Sequence, residues 1–405
     1  SKKGPIQAII SGAHGQVNQS TMAVGHRYQK RTKRRHLTAP AAPNIIHTNS
    51  NHKEGVCNTM TNPQKTLIDT ARRRTACYRL SNPGKPKLML VHGNASSAAF
   101  FFPTIQALAP HFDIVAPDLN GFGDTQATPV HAPTALCDWA DDLNALADAL
   151  GWQRFALLGW SLGGGVAWRY AVNHPERLTH LILLSPMSPY GFGGTRGEEG
   201  RMYDERGWGS PGGFANPAFL QKLGEQDRGD DPMAARAVLE KSLFAAGWPV
   251  DKAWQDLYVD ELLKIHLGED YYPGDYQPLA EFPYVLPGTR GISNALAPQY
   301  ANVSAFAQIN PHPPVLWIRG AKDTLVSDQS YSDLAVLGQL GVVPGYPGAE
   351  AFPPQPMVGQ TRAVLEQYKE NGGRYSELVF EHSAHASHLE EPERFVDELK
   401  AFIAG

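Results

Sequence analysis

The stretch FALLGWSLGGGVAWRYA, residues 155–171, decides the fold. Four apolar residues, Phe155 to Leu158, run into Gly159-Trp160-Ser161-Leu162-Gly163, and a pattern of helical spacing follows at once. A short apolar run of this kind reads as a buried strand, and the spacing after it as a helix packed back onto that strand. Glycines on both sides of the turning residue let the helix approach without Cβ clashes. The residue at the turn is a serine.

Working outward, strands and helices alternate from residue 75. TACYRL (75–80) reads as a strand, Asn82-Pro83-Gly84 as a turn, and KLMLVHG (87–93) as a buried strand. A helix fits 103–112, DIVAPDL (113–119) is the next strand, and THLILLS (179–185) another. Between them, residues 134–151 place Leu136, Trp139, Leu143, Leu146 and Leu150 on one helical face and end at a glycine. Short apolar strands alternating with helices predict an α/β fold, a mostly parallel sheet covered on both faces.

The rhythm stops at 187 and resumes at PVLWIRG (314–320). Residues 187–308 are rich in Gly, Pro and aromatics and read as a cap inserted into the sheet, with a helix at 233–247. A helix at 357–370, a strand at 375–382 and a closing helix over PERFVDELKAFIAG complete the chain. The expected organisation is a basic, disordered extension over 1–59, a first part of the core over 60–186, the cap over 187–308, and a second part of the core over 309–405.

Charge separates the extension from the rest. Residues 1–59 carry nine Lys/Arg against Glu54 alone, or +8; with a net charge of -4 for the whole chain, the remainder is -12. The run RYQKRTKRRH (27–36) has the composition of a nucleic-acid or nuclear-localisation patch, but such runs are more often solvated tails, and no nucleic-acid partner is expected. Cys57, Cys77 and Cys137 share no metal-type spacing. The sequence has no apolar run long enough to span a membrane and no signal-peptide core, so a cytoplasmic location is expected.

Gly159-x-Ser161-x-Gly163 between a strand and a helix has the form of a nucleophile elbow, in which a strained backbone lifts the serine hydroxyl above the strand ends. A serine hydroxyl is a weak nucleophile and needs a base, which in turn needs an orienting carboxylate. In a fold with such an elbow the expected chain order is serine, then acid, then histidine, which places these partners downstream. RGAKDTLVSD offers Asp323 and Asp328, and EHSAHASHLEEPERF offers His382, His385 and His388. Asp323 is preferred, because Gly320-x-x-Asp323 sets it in the first turn after a buried strand. The backbone N–H of Leu162, at a helix N-terminus, suits a developing oxyanion. Asn94 also opens an Asn-Ala-Ser sequon, although a glycan there would block the site.

These segments together resemble the α/β-hydrolase superfamily in its serine esterase and lipase-like branch. The resemblance rests on LVHGN (90–94), DLNGFGDT (118–125), GWSLGG (159–164), RGAKDTLV (319–326) and AHASHLEEPERF (384–395), in that order, and covers about residues 75–403 except the cap. It implies an α/β-hydrolase fold and a triad of Ser161, Asp323 and His385. The register of the His-Leu-Glu-x-Pro segment selects His385, although Ala384 replaces the usual glycine. It implies Asn94 as the second oxyanion donor beside Leu162, and His92 as an anchor beneath that segment. Epoxide hydrolases and haloalkane dehalogenases of the superfamily carry an aspartate at the elbow, so a serine implies acyl transfer to water. The expected substrate is an apolar small-molecule carboxylic ester, met by an aromatic cap, with Trp160, Phe100 and His388 as candidate pocket residues. No metal or organic cofactor is called for. A lactonase, a C–C bond hydrolase and a non-catalytic ligand-binding member of the fold are the alternatives.

Overall fold

The computed structural model describes residues 64–405. The extension over 1–59, with its basic run and Cys57, lies outside the described residues.

Each apolar run noted above becomes a strand of one eight-stranded sheet. The strands are β1 Gln64–Asp69, β2 Arg74–Leu80, β3 Lys87–Val91, β4 Asp113–Pro117, β5 Phe155–Trp160, β6 Leu178–Leu184, β7 Val315–Gly320 and β8 Tyr375–Phe380. Their spatial order is β1-β2-β4-β3-β5-β6-β7-β8. β1 runs antiparallel to β2, and β2 antiparallel to β4; every other pairing is parallel. β4 and β5 are buried along their whole length, as strands covered on both faces must be.

The order contains a reversal that matters for chemistry. From β3 the chain passes through α1 (Phe102–Leu108) to β4 on one side, then through α2 (Ala135–Ala149) to β5 on the other side of β3. The strand order therefore reverses at β3 and β5, and in open α/β sheets the carboxyl ends of the strands at such a reversal are where ligands bind. The register pairs Val91 with Gly159, which brings the two strand ends level. α3 (Leu162–Asn173) follows β5 directly.

β1 is absent from the sequence reading, for a physical reason. It is an edge strand whose Thr66, Leu67 and Asp69 are exposed, so it lacks the apolar face that marks a strand in sequence.

Between β6 and β7 the chain leaves the sheet for residues 185–314. This stretch holds α4 (Pro217–Gly224), α5 (Ala235–Leu243), α6 (Lys252–Leu262) and two short ribbons, Thr195–Arg196 with Arg201–Met202 and Tyr276–Pro278 with Val285–Pro287. α5 is shorter than the helix expected over 233–247, because Phe244 takes an extended conformation and Gly247 a positive φ of 80°. The inserted stretch packs on the carboxyl-end loops of the sheet: Tyr258 stacks on Phe100 at 4.5 Å between ring centroids, and Trp254 packs on Phe102. After β7 come α7 (Met357–Glu370) and, beyond β8, the closing α8 (Pro392–Ala404). Among the described residues no helix is long and apolar enough to cross a membrane.

Candidate active site

The turn from β5 into α3 is as tight as its glycines suggest. Ser161 sits at φ 57° and ψ -118°, a region that non-glycine residues rarely occupy. Its backbone is held there from both sides. Its N–H donates to Leu184 O at 3.0 Å, while its carbonyl accepts from Gly164 N at 2.9 Å and Met187 N at 3.0 Å. A Cβ on Gly159 would lie 2.2 Å from Gly163 O, and one on Gly163 would lie 2.4 Å from the carbonyls of Val91 and His92. α3 thus begins in contact with both strand ends. The first N–H groups of a helix have no acceptor within it, and the positive end of its dipole lies there. Leu162 is the first residue of α3.

The segment after β3 is fixed by a buried histidine. His92 Nε2 accepts from the backbone N–H of Leu119 at 3.0 Å, so its proton resides on Nδ1, which donates to Gly93 O at 2.8 Å. Burial pushes the His92 imidazolium down to a pKa of about 4, and the ring is neutral at physiological pH. Ser96 Oγ donates to the same Gly93 carbonyl. Gly93 lies against the elbow: a Cβ on it would come within 3.0 Å of Ser161 Cβ. Asn94, half-buried, follows it, and its Oδ1 accepts from Ala95 N at 2.9 Å.

The two remaining members of the expected triad meet although 62 residues separate them. His385 Nδ1 lies 2.7 Å from Asp323 Oδ2, with both side chains 2% exposed. Asp323 occupies the turn after β7, where its other oxygen accepts from Leu325 N at 2.8 Å and Val326 N at 3.0 Å. Three donors thus fix the carboxylate. Asp328 instead accepts from Val358 N and Gly359 N, in the first turn of α7. His385 is placed beside the elbow by Trp160, whose indole Nε1–H donates to His385 O at 2.9 Å. His382 is exposed.

The three candidate pocket residues lie in a closed aromatic layer beneath these loops. Phe100, Trp160 and His388 are at most 1% exposed. Phe100 faces Trp160 and Tyr258, while His388 is enclosed by Phe101, Trp160 and Phe395. Among the described residues, His388's ring nitrogens have no hydrogen-bond partner of good geometry, and burial pushes its pKa down to about 3. Each of the three packs as core here rather than facing an open cleft.

Two groups of polar residues were not singled out from sequence. Glu390 accepts from Ala384 N at 2.6 Å and Ala245 N at 2.7 Å. Glu261, on α6, accepts from Ser97 Oγ at 2.7 Å and joins Lys65, Asp118, Asp124 and Lys264 in one charged cluster. Ala245, Ser97 and Lys65 come from distant parts of the chain, and no local spacing announces their meeting with Glu390 and Glu261.

The family model described as the alpha/beta hydrolase fold matches residues 86–346. The chain belongs to the alpha/beta hydrolase family. A 1-acylglycerol-3-phosphate O-acyltransferase of Arabidopsis thaliana is 37% identical to this alpha/beta hydrolase over 109 residues, 25% of each chain. An uncharacterised hydrolase of Saccharomyces cerevisiae is 33% identical over 145 residues, 35% of this chain and 46% of that one. The matches thus span from a quarter to about half the length of these relatives. Among solved structures, an esterase from a Rhodococcus species superposes with a TM-score of 0.53 at 19% identity, covering 85% of this chain and 99% of that one. That likeness is one of fold.

Proposed function

We propose that this alpha/beta hydrolase is a serine hydrolase that cleaves carboxylic esters of apolar small molecules through an acyl-enzyme on Ser161. The observations that carry the reading are the buried 2.7 Å contact between His385 Nδ1 and Asp323 Oδ2 and the positive φ of Ser161 at the turn into α3. With its Nδ1–H donated to the carboxylate, His385 presents Nε2 as a base.

In the first half-reaction Ser161 Oγ attacks the ester carbonyl carbon and its proton passes to His385 Nε2. The tetrahedral oxyanion takes hydrogen bonds from the N–H groups of Leu162 and Asn94. Such a donor is worth about 10²–10³ in rate. Collapse breaks the bond to the alkoxy oxygen, which leaves as an alcohol with the proton from His385. In the second half-reaction His385 deprotonates a water molecule, which attacks the acyl carbon; the acid departs and Ser161 regains its proton. Lactones are cyclic esters and follow the same steps. An acyl-enzyme also supports transfer to an alcohol, the chemistry named for the Arabidopsis relative.

A fluorophosphonate probe tests the reading. Labelling is expected on Ser161, with no label in Ser161→Ala and release of free acid from p-nitrophenyl esters by the unsubstituted chain. An unlabelled, inactive chain of native fold would sink the proposal.

A further inference from the structure

The loop that carries His385 is fastened residue by residue, and its fasteners come from different parts of the chain. Ala384 N–H donates to Glu390 Oε2 at 2.6 Å. The His385 carbonyl accepts from the Trp160 indole at 2.9 Å. Ala386 N–H donates to Leu243 O, at the end of α5, at 3.1 Å. Glu390 closes the circuit, because its Oε1 accepts from Ala245 N at 2.7 Å. Two of these contacts thus join the inserted stretch at 243–245 to the base loop on both sides of His385. Glu390 is 4% exposed, and burial pushes its carboxyl above the ordinary value. A buried acid that spends both oxygens on backbone N–H groups holds those groups in register.

We propose that Glu390 is a positioning residue for His385, a clasp that makes the placement of the base depend on the inserted stretch. This rests on the acyl-enzyme reading above. Only a carboxylate fits the role, since it offers acceptors to two N–H donors at once. A glutamine there turns one oxygen into an NH₂ that faces an N–H, donor against donor. One end of the clasp then opens, with the shape of the side chain preserved. Displacement of a catalytic group by about 1 Å costs on the order of 10²-fold in rate.

The test compares Glu390→Gln with the full natural chain, using fluorophosphonate labelling of Ser161 and turnover of p-nitrophenyl butyrate per titrated Ser161. The expected result is a fall of roughly 10- to 100-fold in labelling rate and in kcat per titrated site, with KM changed by less than about threefold. A purely structural role would lower Tm and the titrated fraction but leave kcat per titrated site unchanged, and that result would overturn the proposal. Absence of labelling in the natural chain would instead overturn the acyl-enzyme reading. Hydrogen exchange on the natural chain supplies a readout that needs no variant. The amides of Ala245 and Ala384 are expected to be protected to similar degrees; free exchange at Ala245 with Ala384 protected would show that the clasp is absent.

Discussion

At Gly159 the obstacle to a side chain is backbone. An added Cβ would meet Gly163 O at 2.2 Å and Gly163 C at 2.6 Å, neither of which can swing aside as a flexible side chain could. Gly159→Ala is therefore expected to cost at least about 1–3 kcal/mol, the scale of core overpacking, and to displace Ser161. Gly224→Ala is the control: its Cβ would have only Leu267 Cδ1 nearby, at 3.8 Å, so chemical denaturation should show little change. A second prediction at this scale concerns pH. His92 and His388 are held neutral by burial, with pKa values of about 4 and about 3 against an ordinary imidazole value of 6.5. Above pH 6.5 both states are neutral and these residues contribute nothing to the pH dependence. As pH falls below 6.5 the unfolded chain takes up protons that the folded chain refuses, so stability drops; His92 alone accounts for roughly 3 kcal/mol by pH 4. His388→Phe, which suits an aromatic enclosure, should flatten the fall in Tm between pH 6.5 and 4. An unchanged slope would contradict this assignment.

Legibility in the sequence follows from how each residue is recognised. Ser161, Asp323 and His385 stand in local motifs whose context of strand, turn and helix shows in a single stretch, and the structure brings Asp323 to His385. Trp160, Phe100 and His388 were also visible, but as aromatics whose burial depends on the packed layer; sequence alone does not tell a pocket wall from core. Glu390 stands in the same stretch as His385, but its role is not readable there, because its partner Ala245 lies 145 residues away.

Among the elements, β1 was the least visible and is fastened by charge. Lys65 Nζ lies 2.6 Å from both Asp118 Oδ2 and Asp124 Oδ2, and 3.4 Å from Glu261 Oε2. Burial opposes its charge, yet the carboxylates of Asp118 and Glu261 outweigh that and hold the ammonium above its ordinary pKa. The cluster joins β1, the loop after β4 and α6. Through Ser97 it also reaches the segment that follows Asn94. Lys65→Met leaves the buried Asp118 without its closest cation and is expected to lower stability by roughly 3 kcal/mol, measured by denaturant titration. An effect below about 1 kcal/mol would place the pair among weak surface bridges.

For the whole molecule, the reversal of strand order at β3 and β5 determines where chemistry can occur. The loops leaving β3 and β5 put Gly93 against Ser161, and the ends of β7 and β8 deliver Asp323 and His385 to the same side of the sheet. Among the contacts by which the inserted stretch meets that side are those of α6 through Glu261 and of the end of α5 through Glu390. The alternation of strands and helices was readable as a periodic pattern. The anchoring of the insertion is not, because its aromatic and polar contacts join segments that share no pattern.

The position of Lys65 also bears on how far this protein can be shortened. The parallel part of the sheet begins at Lys87, which makes that residue look like a natural point to start a minimal fragment. A fragment starting there loses the ammonium of Lys65 and leaves Asp118, Asp124 and Glu261 to share Lys264 alone, so the cluster goes from one excess negative charge to two. A fragment that keeps this cluster thus has its amino-terminal limit before Lys65, set by the cation that Lys65 supplies as well as by the two strands that precede Lys87.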